Sequence, residues 1–174
     1  VAVRRQRQMC IRDRQYTGPI TYGIAVRKLQ MDKSEEEKEA DLQSIPDPVK
    51  RQARKETMEK GIEAPIVMNS LKKAGEFLDQ LEANIEDSSW IAGDKFSMAD
   101  ACTLPYILRL DHLALSEAFS KEKRPKINNW YKEVRDLDFF DKAVTSQIPP
   151  PLVEMMNTFG EEVKEKALNL MEEK

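Results

Sequence analysis

Only a few residues of this 174-residue chain are of types that do chemistry, and their spacing decides what they can do. The one histidine is His112, and the two cysteines are Cys10 and Cys102. A nucleophilic thiol needs a cation or a base beside it to become a thiolate. Cys102 stands in an apolar run with no such neighbour in sequence, so it reads as a small buried hydrophobe. His112 lacks a recognisable catalytic partner and reads as a helix-end residue, where imidazole interacts well with the helix dipole. One His and two distant Cys give no metal-ligand spacing, so no metal is expected. Asp and Glu are abundant, but none lies in an apolar setting that would raise its pKa towards general-acid work. No catalytic residue is therefore expected. What remains is binding chemistry. Tyr16, Tyr22 and Tyr106 each join an apolar body to a hydroxyl, which suits either core packing or the wall of a small-molecule pocket. Met155, Met156 and Phe159, just after three prolines, suit either plain core or the wall of a hydrophobic cleft.

The stretch that must position these residues is Trp90 to Asp100, WIAGDKFSMAD. It reads as a tight turn delivering the chain into a helix. Ser97 is the expected N-cap, and Asp100, three residues on, reaches back to form the Asp version of a capping box. The cap accounts for Asp100 without a catalytic role. Phe96, just before the cap, can pack on Ala101 as a hydrophobic staple. From Met98 to Leu110 only Asp100 and Arg109 are charged, so the helix over 98–113 is expected to be central and buried on nearly every side. Pro105 removes one backbone donor and is expected to bend it.

The other elements follow from periodicity. Tyr16-Thr17-Gly18-Pro19 predicts a turn, and residues 20–31 a helix with Tyr22, Val26 and Leu29 on one stripe. Residues 32–43, rich in Glu, Lys and Asp, predict a solvated helix end or a mobile connection. Asp47 and Pro48 suit the cap and first position of a polar helix that ends at Gly61. Over 63–86, Val67, Leu71, Ala74, Leu78, Leu81 and Ile85 step by helical spacing, with Phe77 widening the stripe. Gly75 inside that helix marks a close approach to a neighbour. Asp87-Ser88-Ser89 is the expected exit loop, and residues 114–123 a short turn. Ile127, Trp130, Val134 and Leu137 stripe a helix that starts at Arg124-Pro125, and a short turn over 138–144 follows it. After Ile148 and the three prolines, a last helix opens with Leu152, Met155, Met156 and Phe159 and becomes a solvated charged tract. No segment alternates with period two for long enough to make a strand. The fold class is all-α.

Composition sets outer bounds. Length suffices for one domain with a real core. The net charge is −3, and residues 1–14 hold five Arg and one Asp, a net +4, so the rest carries the difference, −7. A mildly acidic body of that kind has no basic face for nucleic acid. No apolar run approaches the roughly 18 residues of a membrane span, and no signal pattern opens the chain. Two cysteines fit a reducing, cytoplasmic setting. Residues 1–14, VAVRRQRQMCIRDR, match no amphipathic template. The MCIRDR string resembles translated sequencing-adapter read-through, so this segment is expected to be foreign or disordered, and Cys10 to carry no role. The folded domain is then 15–174.

At Trp90 to Asp100 the chain resembles the "W-L-A-G-D-x-F-S-L-A-D" segment of glutathione transferase C-terminal domains. Arg124-Pro125-Lys126-Ile127-Asn128-Asn129-Trp130 resembles the "R-P-x-[VI]-x-x-W" helix of the same domain, at matching separation. The stretch from Ile45 to Pro65 resembles bacterial members near the lignin β-etherase branch. The resemblance implies a helical bundle around the capped helix 98–113. It also implies a full-length enzyme in which a thioredoxin-like N-terminal domain, expected to be missing from this chain, binds glutathione and carries the activating Ser, Tyr or Cys. This chain would be the electrophile-site half of such an enzyme. The co-substrate thiolate would attack a small hydrophobic electrophile or an aryl ether, and the whole protein would be a cytoplasmic homodimer. By family position, the helix near Tyr16 and Tyr22 would line the pocket, with Met155 to Phe159 as a lid. The same domain type also occurs as a non-catalytic protein-interaction module, the alternative reading.

Overall fold

The computed structural model describes residues 16–85 and 90–173, and the expectations placed on residues 1–14 and on the loop at 87–89 lie outside it. Among the described residues every extended element is helical, and pairing of the strand type is limited to an isolated bridge between Trp90 and Gly93.

The first helix, α1, already runs at residue 16 and continues to 31. Its middle, Tyr22–Val26, is a π-helical turn, and Arg27–Met31 resumes the α-helix. The turn read at Gly18-Pro19 is thus helix, because burial of Ile20 outweighs local turn preference. The buried face of α1 is not the stripe of Tyr22, Val26 and Leu29. Ile20, Gly23, Ile24 and Ala25 are buried, whereas Leu29 is 49% exposed. The cause lies in the π turn, which rotates the packed face, and in Gly23, whose missing side chain lets the backbone lie against Val67.

Helix α2, Glu35–Gln43, occupies the charged tract read as a helix end or a connection. A full capping box between Ser34 and Glu37 starts it, and Leu42 alone buries a side chain. Helix α3, Pro48–Lys60, begins as expected, with Asp47 accepting from Val49 N–H at 2.9 Å and Lys50 N–H at 3.3 Å. Gly61 ends it at φ +58°. Arg27 of α1 donates to the carbonyls of Met58 and Glu59 there, which ties α1 to the end of α3.

The long helix α4, Pro65–Asn84, is the floor of the core. All six stripe residues from Val67 to Ile85 are buried. At Gly75 the backbone of the last helix sits so close that a Cβ would collide with the Met171 carbonyl. That last helix corrects a reading. The chain breaks after α8, Pro150–Glu161, and a separate α9, Lys164–Glu172, buries Ala167, Leu168, Leu170 and Met171. The charged tail is therefore half core: its Glu and Lys face solvent while these apolar residues pack on α4.

Helix α5, Met98–His112, is continuous through Pro105. Its cap is as expected, and its burial is not. Asp100, Thr103, Leu104, Ile107 and Leu110 form a buried face. The opposite stripe stays open: Met98 is 67% exposed, Pro105 is exposed, and Cys102, Arg109 and His112 are half-buried. An apolar composition on all sides did not mean burial on all sides. Phe96 meets Trp90 and Phe139 edge-on at 5.6 and 5.4 Å.

The Asp100 carboxylate joins three parts of the chain. Oδ2 accepts from Ser97 N–H at 2.8 Å and from the Ser97 hydroxyl at 2.7 Å. Oδ1 accepts from Ile91 N–H at 3.0 Å and from Trp130 Nε1–H at 2.8 Å. Trp130 belongs to α6, Pro125–Arg135, whose Ile127, Trp130, Tyr131 and Val134 are buried. The α6 start has no cap of its own; Glu82 of α4 supplies one, accepting from the N–H groups of Lys126 and Ile127. Arg124 is buried beside Asp79 and donates to the Ala118 carbonyl. Between α5 and α6 lies a short 3-10 turn, Ser116–Phe119, and α6 leads to the single-turn α7, Phe140–Ala143.

Candidate functional site

Two clefts lie where side chains of the expected kinds meet. One, of about 630 Å³, opens between α1 and α3. Its walls are Thr17, Gly18, Pro19, Thr21, Tyr22 and Val26 of α1, Val49, Lys50, Ala53, Arg54 and Thr57 of α3, Ile66 at the head of α4 and Arg109 of α5. The Thr21 hydroxyl donates to the Thr17 carbonyl at 2.7 Å, and that of Thr57 to the Ala53 carbonyl at 2.7 Å, so both are committed to their own helices. Pro19, Val26, Val49, Ala53 and Ile66 supply apolar wall. Tyr22 contributes its ring, which the Arg54 guanidinium covers at 3.6 Å. The volume and the mix of apolar wall with a few polar tips suit a small organic molecule.

The second cleft, of about 570 Å³, lies between α5, α6, α7 and α8 and holds His112. Burial and the Arg109 charge push the His112 imidazole below its usual pKa, and Asp111 only partly opposes them. Beside it the Tyr131 hydroxyl donates to Asp111 at 2.8 Å. Burial and that carboxylate push the Tyr131 phenol far up, which makes it a fixed donor and no base. His112 and Asp111 occupy the helix end, and no cysteine, serine or lysine joins them among the residues lining the cleft.

The five residues singled out for binding are dispersed. Tyr22 walls the α1–α3 cleft. Tyr16 lies under Lys73 of α4, with Nζ 5.3 Å from the ring centroid. Tyr106 meets Phe77, one turn further along α4, edge-on at 6.4 Å. Met155 is half-buried against the core. Phe159 lies under Lys28 of α1 at 5.6 Å, and Lys28 pairs with Glu162 at 2.6 Å, so this part of α8 is fastened to α1. Sequence reading passed over Arg54 and Arg109. A helical wheel of α3 puts Ala53 and Thr57 inward and would have placed Arg54 at that edge. Arg109 was visible as the one cation in an apolar helix. Burial lowers its pKa from the guanidinium norm, and no carboxylate counters that among the described residues. Cys102 is half-buried on the open stripe of α5. No group of three or more His, Cys, Asp or Glu among the described residues is placed to hold a metal ion, and none of the described helices is long and apolar enough to cross a membrane.

Comparison with known proteins fits the all-helical fold. A family model described as "Glutathione S-transferase, C-terminal domain" matches residues 24–138. Among curated proteins the chain is similar to "Glutathione S-transferase TCHQD" of Arabidopsis thaliana, 34% identical over 53 residues. That stretch is 30% of this chain and spans only 20% of the relative's length. No solved structure matches.

Proposed function

The chain belongs to the glutathione S-transferase C-terminal domain family, and from that premise we propose that it forms the electrophile-binding wall of a glutathione transferase-like enzyme. The single observation that carries the proposal is the α1–α3 cleft, which combines a drug-sized volume, an apolar wall and Tyr22 on the helix that the family resemblance assigns to the pocket. In the whole protein, a thioredoxin-like domain would hold glutathione and lower its thiol pKa by hydrogen bonding. The thiolate sulfur then forms a bond to the electrophilic carbon. A halide or aryl oxide leaves with the bonding electron pair, and the thiol proton goes to solvent.

This chain's own residues do the positioning. Val26, Val49, Ile66 and the Tyr22 ring orient a hydrophobic body and keep water from it. The N-terminal part of the open stripe of α5, with the exposed Met98 and Pro105, is the face on which the glutathione-binding domain would seat, since exposed apolar side chains grouped on one face suit an interface. The whole enzyme would be a cytoplasmic homodimer, as the family resemblance implies. The α1–α3 cleft would accept an electrophilic or aryl-ether substrate.

The test uses the full-length protein on a glutathione resin, followed by turnover of a chromogenic aryl halide. Retention, elution by free glutathione and glutathione-dependent product formation support the enzyme. Clean flow-through with no turnover supports a non-catalytic interaction module and overturns it.

A further inference from the structure

We infer that the α1–α3 cleft selects for an organic anion, so that the molecule it takes carries a carboxylate or phenolate on its apolar body; this rests on the cleft being the electrophile site. The first ground is charge. Among the described residues, Lys50, Arg54 and Arg109 line the cleft, and no Asp or Glu does. Of these cations, Lys50 approaches Asp47 alone among the described residues, at 3.9 Å and in solvent, and that carboxylate is already the α3 cap.

The second ground is that the two guanidiniums are underused. A guanidinium offers five N–H donors and normally spends them on carboxylates or carbonyls. Among the described residues the Arg109 side chain has one acceptor, the Met156 thioether sulfur, at 2.8 Å. Thioether sulfur accepts weakly. Arg54 rests on the Tyr22 ring and has no hydrogen-bond or ion-pair partner among the described residues. Both are half-buried, so each has given up water without gaining a carboxylate. A ligand anion would satisfy both at once, while the apolar wall holds the rest of the molecule.

The same fold contains a contrasting case. The neighbouring cleft between α1, α2 and α3 also holds three cations, Arg27, Lys38 and Lys55, but Glu35, Glu39 and Glu59 line it with them. Its charge is neutralised internally. The α1–α3 cleft lacks that compensation.

The experiment measures equilibrium binding of 2-naphthoate and of 2-naphthamide, equal in shape and different in charge, to the 174-residue chain, to Arg54→Gln and to Arg109→Gln. Circular dichroism melts confirm that each variant folds, and Arg54→Gln, on the outer edge, keeps the test open if Arg109→Gln does not. Naphthoate is expected to bind at least about tenfold more tightly than the amide, with each variant losing about tenfold for naphthoate alone. Added salt should weaken the naphthoate complex only. Equal binding of the two probes overturns the anion preference and leaves the transferase reading standing. Binding of neither overturns the cleft as a site. Preference for naphthoate in a full-length protein that does not turn over glutathione would keep the anion site and sink the enzyme.

Discussion

Asp100 shows how much one side chain can hold. Its carboxylate fastens the turn at Ile91, the cap at Ser97 and the indole of Trp130, and it is fully buried. Asp100→Ala therefore removes more than a helix cap. It orphans the buried Trp130 indole and the half-buried Ile91 N–H on two other segments, and we expect a loss of about 3–4 kcal/mol in denaturant titration. Asp100→Asn should cost nearly as much, because an amide has one acceptor oxygen where four donors converge on two. A loss near 1 kcal/mol would mean that only the cap matters. The cap itself was legible from Ser97 and Asp100, since capping is local. The Trp130 bond was not, because no local rule joins residues 30 positions apart.

Two further residues carry predictions of opposite sign. Ala114 ends α5 in the left-handed region at φ +59°, where the Leu115 N–H bonds back to the Leu110 carbonyl. Glycine fits that position without Cβ strain, so Ala114→Gly is expected to stabilise the chain by about 1 kcal/mol. His112 has a folded pKa below its usual 6.5. Between those two values the unfolded chain binds the proton and the folded chain does not. Stability thus falls as pH drops through that window and levels off below it. Thermal melts of wild type and His112→Gln at about pH 8 and pH 5 should converge at the higher pH, with wild type relatively weaker at the lower.

At the scale of elements, helices are set as much by their neighbours as by their own sequence. Gly75 announced a close approach, and its stripe on α4 followed from spacing alone. The partner was hidden, because Ala167, Leu168, Leu170 and Met171 of α9 sit in a tract that reads as solvated charge. Gly75→Ala should push α9 off α4 and cost at least about 2 kcal/mol, measured by melting and by faster amide exchange across α9. Loss of exchange protection elsewhere but not in α9 would contradict that contact. Likewise α6 takes its N-terminal cap from Glu82, so Glu82→Ala is expected to cost about 1 kcal/mol although Glu82 lies on another helix. The π turn in α1 and the contact of Gly23 with Val67 both escaped sequence reading, and that contact is tertiary.

At the scale of the whole molecule, the pocket residues divide. Tyr22 was legible as a residue with an apolar body and a polar tip, and it walls the cleft. Tyr16 and Tyr106 carry the same signature and pack instead on Lys73 and Phe77 of α4, while the apolar Phe159 lies under Lys28, since side-chain type does not encode direction. The central claim is that the α1–α3 cleft receives the electrophile while glutathione binds outside this chain. Ile66 lines the cleft and is 40% exposed, so a larger side chain there fills the cleft without overpacking the core. The decisive measurement is steady-state kinetics of full-length Ile66→Trp against wild type, with each substrate varied in turn. A KM for the electrophile raised about tenfold or more, at an unchanged KM for glutathione, is the predicted result. Unchanged constants for both substrates, in an active and folded variant, would place the electrophile elsewhere and contradict the account.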